Sequence, residues 1–153
     1  MVRSKSSSRF TSEDPPPPLI GALLRMPWEV VQRRMLDRLH EHGFGDLDVP
    51  HLNVLRYPGP EGTRPSELAA RLGMTKQALN YLLGELERLG YLERRPDRDD
   101  ARSRRIALTD RGWALVPVIR DAVADVEREW ARALGAKRFA QLRTLLVELN
   151  RLV

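Results

Sequence analysis

Three features of this 153-residue chain predict a mainly α fold carrying one small β-hairpin. Apolar residues recur at intervals of three and four along most of its length, the period of a helix with one buried face. Two such stretches, of ~8 and ~14 residues, meet at a glycine-containing turn, which is the helix-turn-helix arrangement. The period then switches once, to alternation on either side of a charged turn, and that reads as a hairpin.

The clearest helix runs from Thr75 to Gly90. Leu79, Leu82, Leu83, Leu86 and Leu89 share one stripe. Thr75 stands where an N-cap hydroxyl accepts an orphan backbone N–H, and Gly90 suits the left-handed conformation that ends a helix. The opposite side holds Lys76, Gln77, Asn80, Tyr81 and Gly84. A solvated face more usually carries Glu and Lys pairs. Amides, a lysine and a ring crowded into the first turns suit a surface of donors and acceptors, such as a DNA major groove.

Composition bounds the rest. A formal net charge of +5 and a pI near 10.2 favour a polyanionic partner. With 26 basic residues against 21 acidic ones, any positive patch must be local. The chain has no cysteine, which excludes disulfides, thiolate metal sites and a thiol redox switch. No apolar run approaches the ~20 residues of a membrane span, and no secretory signal pattern opens the chain. A cytoplasmic protein without membrane contact is expected.

Residues 1–18 are poor in apolar side chains and end in Pro15-Pro16-Pro17-Pro18. They read as a disordered basic, Pro-rich arm, either phosphate-seeking or an ordinary terminus. From Leu19 to Glu41 a helix is expected, with Leu23, Leu24, Trp28, Val31, Met35 and Leu39 on its apolar side. Pro27 should kink that helix or start a second one. Pro50 opens a short helix through Leu55, residues 58–62 form a loop, and Pro65 opens another helix that Gly73 stops.

After Gly90, residues 91–95 and 104–108 read as strands around a polar turn from Pro96 to Ser103. Between Glu93 and Arg105 six arginines meet four carboxylates. One reading is a solvated loop of surface ion pairs, each worth little. The other is a wing whose arginines reach phosphates or a minor groove. Thr109 then caps a helix carrying Trp113, Val116, Ile119, Val123, Val126 and Trp130, with a bend expected at Pro117. Gly135 breaks it, and Phe139, Leu142, Leu145, Leu146 and Leu149 line a last helix. These terminal helices hold more apolar surface than a small lobe can cover, so a core shared by two chains is expected. Residues 19–153 thus form one domain, with a lobe at 46–109 and dimerisation helices at 19–45 and 110–153.

Two segments carry a resemblance. One is Arg64-Pro65-Ser66-Glu67-Leu68-Ala69-Ala70-Arg71-Leu72-Gly73-Met74-Thr75-Lys76-Gln77-Ala78 with Leu86-Glu87-Arg88-Leu89-Gly90-Tyr91-Leu92. The other is Asp100-Ala101-Arg102 followed by Arg105-Ile106-Ala107-Leu108-Thr109-Asp110-Arg111-Gly112. Together they resemble the MarR family of winged helix-turn-helix transcriptional regulators, over roughly residues 19–152. The resemblance implies a homodimer on a pseudo-palindromic operator in double-stranded DNA, most often acting as a repressor. It implies that Thr75, Lys76, Gln77, Asn80 and Tyr81 meet bases or nearby phosphates, with Arg98 at the wing tip and Arg102 oriented by Asp100. Some members hold a small aromatic or lipophilic effector in a cleft, which Trp28 and Trp113 would border here.

Other chemistry is weakly represented. His40 and His42 are two apart and point to opposite sides of a helix, so neither these nor His51 is expected to hold a metal. No nucleophile–base pair, phosphate-binding glycine loop or paired carboxylates appear, and neither an enzyme nor a cofactor is expected. The rival reading is a winged module that docks proteins without sequence-specific DNA binding. Polar residues on the exposed side of the 75–90 helix argue against it.

Overall fold

The chain's structure, a computed structural model, describes residues 17–56, 58–100 and 102–152. Most of the arm expected at residues 1–18 lies outside the described residues; Pro17 and Pro18 are exposed and without regular structure.

Local chemistry sets where the helices of the lobe begin and end. The short helix α2 (Val49–Leu55) opens with a capping box. Asp48 accepts from the His51 backbone N–H, and the His51 ring accepts from that of Asp48. Next, α3 (Pro65–Leu72) starts on a proline and stops at Gly73, which has φ 61°. Two residues later α4 (Lys76–Arg88) starts where the Thr75 hydroxyl accepts from Ala78 N–H at 3.2 Å. It ends in a Schellman turn: Tyr91 N–H reaches Leu86 O, Gly90 N–H reaches Glu87 O, and Gly90 supplies a φ of 80°.

The hairpin pairs β1 (Leu92–Pro96) with β2 (Arg104–Leu108), from Leu92↔Leu108 at its base to Pro96↔Arg104 near its tip. The first strand therefore lies one residue later than the expected 91–95. Tyr91 is engaged in closing α4 and is fully buried, and Pro96 sits at the strand's end, where a missing N–H is tolerated. The second edge of β2 is also covered. Thr63 and Ile106 exchange backbone hydrogen bonds of 2.9 and 2.8 Å, an isolated bridge with no sequence signature. Gly62 permits that approach: a Cβ there would lie 2.8 Å from the Ile106 carbonyl oxygen.

Two long helices flank the lobe. The first, α1 (Ile20–Glu41), runs unbroken through Pro27, where a kink or new start is expected. Proline removes the bond to the carbonyl of Leu23, and because both residues are exposed, water can serve that carbonyl. In α5 (Asp110–Leu134) the same holds for Pro117 and the exposed Trp113. These helices pack together through Met35, Leu39, Leu115 and Ala122, and ion pairs Arg34–Glu129 (2.9 Å) and Arg38–Asp125 (2.6 Å) border the seam. The last helix, α6 (Ala136–Leu149), buries no residue. Of the apolar stripe on α1, Leu23, Leu24 and Trp28 remain exposed within one chain, and only Met35 and Leu39 are buried.

The lobe meets α5 with no room to spare. A Cβ on Gly112 would collide with the Tyr91 carbonyl oxygen and press on the Leu108 side chain. Gly112→Ala should therefore destabilise the chain by about 1–3 kcal/mol through overpacking, although alanine is ~1 kcal/mol the better helix former. A variant with a higher urea midpoint would show that this junction has slack.

Candidate nucleic-acid interface

The exposed side of α4 follows from its burial pattern. Leu79, Leu83 and Leu86 are buried against the lobe, which turns Lys76, Gln77, Asn80, Tyr81 and Gly84 outward. Thr75 is also exposed, its oxygen engaged as the cap while its O–H remains able to donate. Tyr81 is 67% exposed and donates to Glu85 Oε1 at 3.1 Å; that hydrogen bond raises its pKa. Between α4, the start of α3 and β2 lies a depression of about 280 Å³, into which Lys76, Asn80, Ser66, Arg64, Ser103 and Arg104 face. One amide, two hydroxyls and three cations thus border one concavity beside the helix.

The wing is organised by a carboxylate that the sequence does not single out. Asp97 is only 3% exposed. Its Oδ2 accepts from Arg64 Nε at 2.6 Å and lies 3.3 Å from Arg105 Nε, and its Oδ1 accepts from Asp99 N–H at 2.9 Å. The Arg64 hydrogen bond above all, then that of Asp99, holds this carboxyl well below the usual carboxylate range. One side chain therefore ties the wing to the N-cap of α3, across 33 residues of sequence.

Asp100 engages Arg102 through the backbone. Its Oδ2 accepts from Ser103 Oγ at 2.7 Å and its Oδ1 from Arg102 N–H at 2.9 Å, which closes the turn and lowers its pKa. Pairing divides the six arginines of the wing. Arg94 binds Glu87, Arg95 binds Glu93, Arg105 binds Asp97, and Arg98, at the tip, lies 3.5 Å from Glu61. Arg102 and Arg104 form no ion pair among the described residues. A cation without an internal partner costs least to bring to a phosphate, so these two are the better placed.

A second concavity, of about 410 Å³, lies between α1, α2 and α5. Trp28 and Trp113, 38% and 40% exposed, both line it, with Met35, Leu52, Leu55 and Val116 between them. Polar groups reach it from its sides: Gln32 bonded to Asn53 at 3.3 Å, Arg120, and Arg56 with its guanidinium 5.1 Å from the Trp28 ring. The histidines are spread apart. His40 Nε2 lies 2.9 Å from the Leu47 carbonyl oxygen, His42 Nδ1 2.8 Å from that of Arg38, and His51 is buried. Among the described residues, no three His, Cys, Asp or Glu side chains are grouped to hold a metal.

Comparison with known proteins agrees with this geometry. The MarR family model matches residues 46–103, from ahead of α2 to the turn before β2. The HTH-type transcriptional regulator PecS of Dickeya dadantii (strain 3937) is 30% identical over 130 residues, covering 84% of this chain and 77% of the relative. The chain belongs to the MarR family. Its fold is that of MarR from E. coli in the apo form, with TM-score 0.71, 26% identity, and coverage of 88% of this chain and 98% of that one. CouR from Rhodococcus jostii RHA1 bound to p-coumaroyl-CoA matches with TM-score 0.63 and 26% identity, covering 85% and 90%. This MarR-family chain is thus a DNA-binding winged helix-turn-helix regulator of transcription, and its curated relatives are regulators, not enzymes.

Sequence reasoning placed Lys76, Asn80 and Tyr81 on one face but missed Arg64, Ser66, Asp97 and Arg104. For Asp97 a signal existed, since an Asp two residues before an N–H it can accept is an Asx turn. Arg104 gave none, being one of six arginines whose pairing depends on packing.

The buried carboxylate yields a test. Asp97→Asn keeps the shape but leaves Arg64 without its charge partner and Arg105 with only Asp99 at 4.0 Å, so the variant should be less stable at pH 7 and more open to trypsin within the wing. A carboxyl whose pKa is depressed by folding stabilises fully above its unfolded value and loses that contribution as pH falls through its folded one. The gap between wild type and variant in thermal unfolding should hold at neutral pH and shrink only below about pH 4. Equal stability and equal cleavage at pH 7 would remove Asp97 from the wing's support.

Proposed function

We propose that the chain is a homodimeric repressor that reads a pseudo-palindromic operator with α4 in the major groove and the wing along the backbone. The observation that carries this reading is the row of neutral hydrogen-bonding groups on α4, flanked by cations that lack internal partners. Gln77 and Asn80 have amides that donate and accept together, which suits the N7 and N6 edge of adenine. Lys76, Arg102 and Arg104 suit phosphates. Thr75 and Tyr81 border the same row, and Arg98 reaches outward at the wing tip with its side chain 86% exposed.

A second chain would cover what one chain leaves bare. Leu23 and Leu24 of α1 and Leu142, Leu145 and Leu149 of α6 are all exposed. So much apolar surface on terminal helices is the signature of an interface. In this reading residues 46–109 are the DNA-binding lobe, and residues 19–45 and 110–153 join the two copies. No helix of the described residues is long and apolar enough to cross a membrane, and a regulator of transcription would work beside DNA in the cytoplasm.

Relief of repression is assigned to the cleft between Trp28 and Trp113. Its size and lining suit a small aromatic or lipophilic effector, with Arg56, Arg120 and the Gln32–Asn53 pair able to meet a polar edge. CouR, which shares the fold, was crystallised with p-coumaroyl-CoA, an aromatic acyl thioester.

Selecting bound duplexes from random DNA tests operator and reader together. Gln77→Ala or Asn80→Ala should cost ~1–3 kcal/mol on the selected site and relax preference at particular base pairs, while binding to random DNA barely changes. Arg102→Ala or Arg104→Ala should instead weaken all binding and lower the salt slope by about one for each phosphate no longer neutralised. Amide variants that keep full sequence preference would show that α4 is not the reader. Sedimentation at micromolar concentration should give a dimer, and Leu142→Asp with Leu146→Asp should separate or unfold it. A folded wild-type monomer of 17.5 kDa would refute the assembly.

A further inference from the structure

Two concavities flank the exposed ridge of α4, and they differ in chemistry. On one side lies the depression bordered by Arg64, Lys76 and Arg104. On the other, over the first turns, is a shallow dish of about 500 Å³ lined by Met74, Thr75, Gln77, Ala78, Tyr81 and Leu82. Among the described residues, no charged side chain lines it. Helix geometry brings the apolar part together. Ala78 precedes Tyr81 by three residues and Leu82 by four, so the three share one flank, and Met74 joins them from the turn before the helix. Ala78 and Tyr81 are exposed, while Met74 and Leu82 are half-buried.

The lining narrows what the dish can hold. With no cation beside it, a phosphate there would go unneutralised. Tyr81 gives the single proton of its hydroxyl to Glu85 at 3.1 Å, so it offers a partner its ring and no donor. Met74 is a flexible thioether that adapts to a small apolar neighbour. Ala78 has only a methyl group and permits close approach. The base edges of a major groove present one apolar group, the C5-methyl of thymine. Gln77, on the rim of the dish, carries an amide suited to adenine. Every adenine read in this way has a thymine methyl on the other half of its base pair, in the same groove.

We propose that the dish seats the C5-methyl group of one thymine in each operator half-site, with the Tyr81 ring as the main contact and Met74 and Ala78 as the walls. This rests on the reading of α4 as the groove helix, and it adds a base contact that uses no hydrogen bond. The two sides of the ridge then divide the work: cations on one side meet the backbone, and the uncharged side meets a base.

Uracil in place of thymine removes the methyl and leaves every hydrogen-bonding group of the base, so the DNA tests the dish without altering the protein. On the selected operator, uracil is placed at each thymine of one half-site in turn. At one position it should weaken binding of the full chain about fourfold, the worth of burying one methyl group. Tyr81→Ala should bind the thymine and uracil duplexes alike. Tyr81→Phe keeps the ring and should keep the discrimination; a phenylalanine variant that loses it would assign the reading to the hydroxyl and overturn the proposal. So would a Tyr81→Ala variant that retains the wild-type ratio. Uracil tolerated at every position would leave the dish to an apolar side chain of a partner protein, and the thymine contact would fall while the operator reading stands. If the wild-type chain selects no operator, both fall together.

Discussion

The fold depends on the junction at Tyr91, where four elements are fastened to one residue. Its N–H closes α4 on Leu86, and its carbonyl accepts from Thr109 N–H at 3.1 Å, which aligns the return of β2 with the start of α5. Its hydroxyl donates to Asp46 at 2.5 Å, ahead of α2, and Arg111 binds both that hydroxyl and the carboxylate while lying 4.5 Å from the ring centre. Burial, then the Asp46 hydrogen bond, pushes the phenol up to about 12. Tyr91 itself is fully buried, so displacing it breaks a backbone hydrogen bond at its N–H and at its carbonyl together, while Asp46 and Arg111 hold its hydroxyl from the surface. Helix α4, the wing and the long helix α5 are thereby joined through one residue. Gly112 completes the constraint by letting α5 rest directly on the Tyr91 carbonyl.

From that fixed point the wing extends as a lever held at a second place. Two strands of five residues make a weak sheet by themselves. The Thr63 bridge to Ile106 and the Arg64–Asp97–Arg105 cluster attach it to the segment just before α3. Exposed ion pairs such as Arg98–Glu61 add little, since solvent screens them and the side chains give up entropy. The cluster around Asp97 differs because the carboxylate is buried and its acceptors are filled by three donors. The same pairing pattern separates arginines that hold the wing from Arg102 and Arg104, whose charge faces outward.

The short helix α2 lies between the tryptophan-lined cleft and α4. Leu52, Asn53 and Leu55 form one wall of the tryptophan-lined cleft, while His51, on the same turns, meets Glu85 of α4. With seven residues and a capping box, α2 packs against α4 on the side away from the cleft's tryptophans.

What the sequence determined by itself was whatever depends on neighbours three or four residues away. The caps at Thr75 and Thr109, the stop at Gly90, the leucine stripe and therefore the polar row on α4 are all local, and they appear where the residues place them. So does the hairpin, to within one residue at Tyr91. Tertiary structure alone decided the pairings across long separations. Trp28 and Trp113 come to share a cleft because α1 packs on α5. Asp97 is buried because Arg64 and Arg105 reach it from two other segments. His51 faces Glu85 because α2 lies against α4. A periodic pattern fixes which face of a helix turns inward, but which residue meets it there depends on how the packed elements divide the core between them.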